Sequence, residues 1–397
     1  MAQSTNNSVT SKPEILVILS LRGGCDGLNL IGPSADPVYI GERKSELRVE
    51  RTGDKQGLLL ANSLADVDFR FHFKAPKLKS LYDAGHLAIV QACGLTNGTR
   101  SHFEAIDYIE RGTPDNKNTP SGWLTRLIES QKLTGFVPIV SASNSLPVAL
   151  LACSEALAIS SVKKMQLQSS PQYLMLKEAA LRKAYQGNGS IIRNGIGTLG
   201  IIDIFASKTI RDAQGKIQDY TPSHTAEYPT EWYTNEISNS LKTVAQLVKM
   251  DVGVQIATVD HGGWDTHINQ NYSFTNLVDG LSRALGAFWE DMVEYQERLT
   301  VVVMSEFGRR LRSNESNGTD HGHGNMMMVL GGKVKGGTMY GKWPGLANEH
   351  LDNGVDLAVT TDYRTVLSEV ITTRLRSSSL DTIFPKFIYK PLGFLNA

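Results

Sequence analysis

Asp320, His321 and His323 fall close together in the stretch SNGTDHGHGN at 316–325. Two imidazoles and a carboxylate are costly to crowd together unless something binds them, and the glycines around them let backbone bend closely around a site. Similar groups recur elsewhere in the chain. GGWDTH carries Asp265 and His267, RGGCDGLN carries Asp26, and SEFGRR carries Glu306 with Arg309 and Arg310. TRSHFEAIDYIERG carries Arg100, Ser101 and His102. Asp-x-His and His-x-His put both side chains on one side of an extended segment, so two groups can reach one ion. Asp, Glu and His without Cys suit zinc, manganese, iron or a similar borderline cation. The set is large enough for one ion, or for two about 4 Å apart as in two-metal hydrolysis.

Other readings compete with this one. Asp26 also suits a turn cap, since Asp-Gly is a common turn pair. Glu306 also suits a salt bridge to Arg309 or Arg310, and Asp260-His261 a strand-end turn. Arg100 and Arg309 suit substrate oxyanions or ordinary pairing. Ser101 stands three residues before Glu104 at the start of a helical pattern, the arrangement of a capping box. A hydroxyl at a helix N-terminus is equally placed to attack a phosphoryl or sulfuryl group, with the helix dipole steadying the anion. His72, His86, His224 and His350 read as surface or helix-end residues.

These groups need a scaffold that delivers them to one place. EILVILSL at 14–21 is a continuous apolar run rich in β-branched residues, expected of a strand buried on both faces. Residues 86–93, 137–143, 146–152, 252–260, 299–306 and 326–332 read as strands too. Helical patterns lie between them at 75–84, 102–111, 121–132, 174–186, 229–249, 273–297 and 363–375. The alternation implies an α/β fold with a largely parallel sheet covered on both sides. Ligands in such sheets bind beyond the carboxyl ends of the strands. His102, His261, His267, His321 and His323 all fall at those predicted ends. Residues 1–13 read as a disordered lead and 14–397 as one domain. Residues 153–230 are the least periodic and read as a cap or insertion, and 51–62 suggests a small hairpin.

Bulk properties exclude other classes. Forty Lys and Arg balance forty Asp and Glu, so no global field draws in nucleic acid, although local patches remain open. No apolar run reaches the ~18 residues of a membrane span. The polar N-terminus has no apolar core of a signal peptide. Cys25, Cys93 and Cys153 form no C-x-x-C pair and read as three buried thiols, with one disulfide and a free thiol as the alternative.

LRGGCDGLNLIGP, TRSHFEAIDYIERG, GGWDTH, SEFGRR and GTDHGHGNMMMVLGGKVKGGTMYGKWPGL together resemble the bacterial domain-of-unknown-function-1501 family. That family is similar to the alkaline phosphatase and sulfatase superfamily. The resemblance implies an alkaline-phosphatase-like three-layer αβα sandwich with a largely parallel central sheet. It also implies a periplasmic or secreted setting reached by twin-arginine export. Matched to the superfamily pattern, Asp26, Asp265, His267, Glu306, Asp320, His321 and His323 would hold one or two divalent ions of the zinc or manganese kind. Phe307 stands where the superfamily has His, so the 320–323 loop would supply the missing imidazoles. Ser101 matches the nucleophile position, within a residue of Thr99 and His102, and Arg100, His102 and Arg309 would assist. The formylglycine pattern Cys-x-Pro-x-Arg is absent. The expectation is a metal-dependent hydrolase of phosphate or sulfate esters, small-molecule or carbohydrate, with Ser101 or a metal-bound hydroxide as nucleophile. The alternative is a non-catalytic metal-containing binding or assembly protein on a hydrolase scaffold.

Overall fold

The computed structural model describes residues 12–131, 133–223 and 225–396. The disordered-lead reading for residues 1–11 and the surface reading of His224 lie outside them. A nine-stranded sheet runs through the molecule, built from β1 (Ile15–Leu21), β2 (Leu87–Gly94), β3 (Ile139–Ser141), β4 (Leu157–Ala158), β5 (Ile256–His261), β6 (Leu299–Met304), β7 (Asn325–Gly331), β8 (Met339–Tyr340) and β9 (Thr361–Asp362). The order is β8-β2-β7-β6-β1-β5-β3-β4, with β9 also on β2. All pairings are parallel except those of β7, which runs against β2 and β6.

The apolar run of β1 shows why the sheet is covered on both sides. Successive strand residues point to opposite faces. Ile15, Val17, Leu19 and Leu21 join one buried core, while Leu16 and Ile18 join the other. Among the described residues, the first core is closed by α1 (Pro76–Asp83), α6 (Asn235–Lys249) and α7 (Gln270–Asp291), through Leu78, Leu241, Val244, Phe274, Leu281 and Phe288. The second is closed by α2 (His102–Arg111), α3 (Trp123–Ser130) and α8 (Tyr363–Thr373), through Ile109, Trp123, Leu127, Val366 and Val370. The result is the mixed α/β sandwich with a largely parallel sheet that the alternating pattern implies.

The reversal of β7 matters for function. Its N-terminal residue, Asn325, lies at the edge where the parallel strands end, and its side chain bonds the carbonyls of Cys25 and Phe307. The 316–323 loop therefore reaches the carboxyl edge because β7 starts there.

Two local expectations need correction, the strand at 146–152 and the burial of Cys153. The apolar run at 146–152 is no strand. Pro147 opens a short 3-10 turn, Val148–Leu150, that packs beside α2 and donates the Ala149 amide to the Glu110 carboxylate. The 153–230 stretch holds edge strand β4 and two helices, α4 (Pro171–Ala184) and α5 (Ser190–Lys208). α5 is apolar around most of its surface and interrupted by glycine, which hides the helical period. Cys25 and Cys93 are buried thiols, but Cys153 is only partly covered. The 51–62 excursion lends Leu58–Leu59 to a three-stranded sheet with Ile31–Pro33 and Phe69–Phe71.

Candidate metal centre

Four loops meet at the carboxyl edge. After β1 the chain turns through Gly23, whose φ is +119°. A Cβ there would lie 2.4 Å from the amide of Asp265. Only glycine allows this approach, and it brings the loop after β5 against the loop after β1. Arg309 staples the junction from beneath. It is 1% exposed and donates to the carbonyls of Gly24, Gly23, Thr319 and Trp264 and to Oδ1 of Asp265 at 2.6 Å.

Three imidazoles gather around Asp265. His102, the first residue of α2, places Nε2 3.5 Å from Asp265 Oδ1. His267 places Nε2 3.0 Å from the same oxygen, and His321 places Nε2 3.2 Å from it. The Nε2 atoms of His267 and His321 are 2.9 Å apart. His321 sits in the short strand Thr319–His321, paired antiparallel with Arg309–Ser313 so that His321 lies opposite Arg309. Phe307 packs against both His102 and His321, with ring centroids 4.8 and 4.9 Å away.

The other nitrogen of each ring is anchored to oxygen. Nδ1 of His102 meets Glu306 Oε1 at 2.8 Å, Nδ1 of His321 meets the Arg100 carbonyl at 2.8 Å, and Nδ1 of His267 meets Asp320 Oδ1 at 3.3 Å. These oxygens only accept, so each Nδ1 carries the proton and each Nε2 presents a lone pair. Lone pairs aimed at one another and at a carboxylate oxygen repel unless a cation lies among them. Nε2 of His102 is buried and has no hydrogen-bond partner. His102, Asp265 and His321 each bring a ligand atom within 4.8 Å of the others. Oxygen-anchored imidazoles with a carboxylate form the donor set of a divalent zinc-like ion, whose histidines characteristically give their far nitrogen to an acceptor. The residues present fit such an ion.

The electrostatics follow from the same contacts. Partial burial pushes the Asp265 carboxyl up, but the hydrogen bond from Arg309 and the adjoining Arg309 and histidine groups outweigh it and hold it at about 2. Glu306 is 4% exposed. Burial raises its carboxyl, yet the bond to His102 and the backbone amides of Glu306, Gly23 and Gly24 bring it below the ordinary value. The Glu306 hydrogen bond raises His102, whereas desolvation lowers His321. Asn314 holds the Asp320 carboxyl below its usual range.

The expected site residues thus divide. Asp265, His267 and His321 converge, and His102 joins them as a ring donor instead of a group near the nucleophile. Glu306 and Asp320 stand one step back, each orienting a histidine. Asp26 does not join. It is completely buried, paired with Arg43 at 2.6 and 2.9 Å and bonded by Gln270 at 2.6 Å. His323 does not join either, because Asp352 and the Leu95 carbonyl take its two nitrogens. Arg309 has its guanidinium bonded on every side, and Arg100 is held by Asp356 with Asp352 nearby. Arg100 gives only Nε and Nη2 to Asp356. Ser101 occupies the N-cap position without a side-chain cap bond. Thr99 takes Glu104 instead, so the capping box does not form.

Sequence reading missed Arg43, Gln270 and Asn314. Asp26 and Gln270 are 244 positions apart, and nothing local to either residue marks the pair.

A family model described as "Protein of unknown function (DUF1501)" matches residues 99–369. No curated protein matches the sequence. Among solved structures, the chain is similar to Ps i-CgsB in complex with k-i-k-neocarrahexaose, at 11% identity and TM-score 0.42, covering 94% of this chain and 74% of that one. It is also similar to the C-terminal periplasmic domain of EcEptC from Escherichia coli in complex with Zn, at 10% identity and TM-score 0.38, covering 81% and 73%. A protein in the alkaline phosphatase superfamily from Vibrio parahaemolyticus follows at 11% identity and TM-score 0.35, covering 81% and 60%.

Proposed function

This chain belongs to the family described as Protein of unknown function (DUF1501), and from that premise we propose that it is a metal-dependent hydrolase of phosphate or sulfate esters. The single observation that carries this reading is the anchoring of three Nδ1 atoms, which leaves three Nε2 atoms facing Asp265. His102, Asp265, His267 and His321 would hold a divalent ion of the zinc or manganese kind. Such an ion supplies Lewis-acid polarisation of an ester oxygen and lowers the pKa of a bound hydroxyl.

The chain's own residues do the rest. Glu306, the Arg100 carbonyl and Asp320 fix the three rings. Arg309 orients Asp265 and offsets its charge. Ser101, whose hydroxyl makes no cap bond, would attack phosphorus or sulfur at the N-terminus of α2, its proton passing to solvent as the ester oxygen departs with the alcohol, and water would then release phosphate or sulfate from the serine. The free N–H groups of that first turn steady the equatorial oxygens. The same reading takes 14–397 as one domain capped by 153–230, acting on small-molecule or carbohydrate esters in a periplasmic or secreted setting.

A second reading has its own support. Every guanidinium nitrogen of Arg309 is committed to protein acceptors, and Arg100 gives Nε and Nη2 to Asp356, so neither offers its full fork to an anionic ester. That favours a non-catalytic, metal-containing binding protein. Elemental analysis of purified protein, paired with assays on phosphate, phosphonate and sulfate ester panels, separates the two. Bound metal with turnover supports the hydrolase, and bound metal with no turnover supports the second reading. Absence of metal under replete conditions sinks both.

A further inference from the structure

We propose that α4 and α5 form a peripheral docking surface for an anionic lipid bilayer, a role independent of the chemistry at the metal centre. Among the described residues of α4 none is buried. Met175 is 81% exposed, Leu176 68% and Tyr173 56%, and on α5 Ile191 is 77% and Ile196 52% exposed. Exposed apolar side chains are ordinary when scattered singly, but grouped ones mark an interaction face. α5 is fixed to the body by its C-terminal half. Phe205 is buried there, and Ile201 and Ile204 pack on the core. Arg182 ties α4 to α5 through Asp203.

Charge selects the occupant. The chain as a whole is neutral, yet residues 171–208 carry five basic residues, Lys177, Arg182, Lys183, Arg193 and Lys208, against Glu178 and Asp203. Arg182 takes both carboxylates. Lys177 and Lys208 reach only backbone carbonyls. Among the described residues, Lys183 and Arg193 have no carboxylate in ion-pair range. A second copy of this chain, docked by two-fold symmetry, would set this cationic face against itself. An anionic bilayer answers both features: its headgroups pair with the cations, and its acyl boundary takes Tyr173, Met175, Leu176, Ile191 and Ile196. No described helix is long and apolar enough to cross a membrane, so the contact is with the surface.

The test is flotation of the full chain with vesicles of phosphatidylcholine alone and of phosphatidylcholine mixed with phosphatidylglycerol. The protein is expected to float with the mixed vesicles and not with the neutral ones, less so at high salt. Lys177→Gln and Arg193→Gln are each expected to weaken binding roughly fivefold. Met175→Ser combined with Ile191→Ser is expected to weaken it roughly tenfold or more. Circular dichroism and the melting temperature establish that each variant is folded. Failure to float with mixed vesicles, or folded variants that float like the parent, overturns the proposal. A dimer in light scattering that these substitutions disperse also overturns it, and assigns the face to a second copy.

Discussion

His102 and Glu306 meet through one hydrogen bond, Nδ1 to Oε1 at 2.8 Å, and that bond turns Nε2 of His102 toward Asp265. Glu306 lies two residues past the end of β6 and His102 begins α2, so the pair also ties the sheet edge to a helix on one face. Glu306→Gln keeps an oxygen acceptor but loses the charge that favours the Nδ1–H form. Metal affinity is expected to fall about 10- to 100-fold, the usual consequence of altering a carboxylate behind a metal histidine. Competition against a chelator measures it. Unchanged affinity would place His102 outside the ligand set.

Asp26 supports the fold through Arg43. Both side chains are fully buried, and Arg43 also bonds the carbonyls of Leu311, Leu47 and Arg310. Asp26→Asn leaves a buried guanidinium without its counter-charge, a change that costs about 3–5 kcal/mol. Denaturant melts should show that loss while folded protein keeps its metal. A folded Asp26→Asn protein without metal would return Asp26 to the ligands.

Ser101 separates its two roles cleanly, because the cap bond is missing. Ser101→Ala is expected to leave stability within about 0.5 kcal/mol, below the ~1 kcal/mol typical of a lost cap. Metal content should also stay. Ester turnover is expected to drop roughly a thousandfold or more, as when a nucleophile is removed. Full activity in the variant would leave solvent as the attacking group.

His261 gives the fold an acid sensitivity. It is fully buried against Trp264, and desolvation lowers its pKa from 6.5 to about 4. The folded state therefore resists protonation that the unfolded chain accepts. Stability from this group is complete above pH 6.5 and declines as pH falls toward 4, by about 3 kcal/mol at most. Its Nδ1 makes no hydrogen bond, so His261→Phe removes no partner. Denaturant midpoints between pH 7 and 4 should fall less steeply in that variant. Parallel curves would show that His261 does not titrate in this window.

The local chain determined the residue types and the strand ends that carry them. Continuous apolar runs such as 14–21 and 299–306 fix buried strands, and the Asp, Glu and His residues after them arrive at one edge because parallel strands share a direction. Asp265, His267 and His321 were legible for that reason. Tertiary structure decided which polar group faces the cluster and which faces a neighbour. His102 and His321 turn Nε2 inward because Glu306 and the Arg100 carbonyl hold Nδ1, whereas Asp352 and the Leu95 carbonyl take both nitrogens of His323. Asp26 follows the first core strand, where a ligand was expected, yet Arg43 and Gln270 satisfy it. A buried charge is settled by whichever partner packing brings within about 3 Å, and packing joins residues hundreds of positions apart.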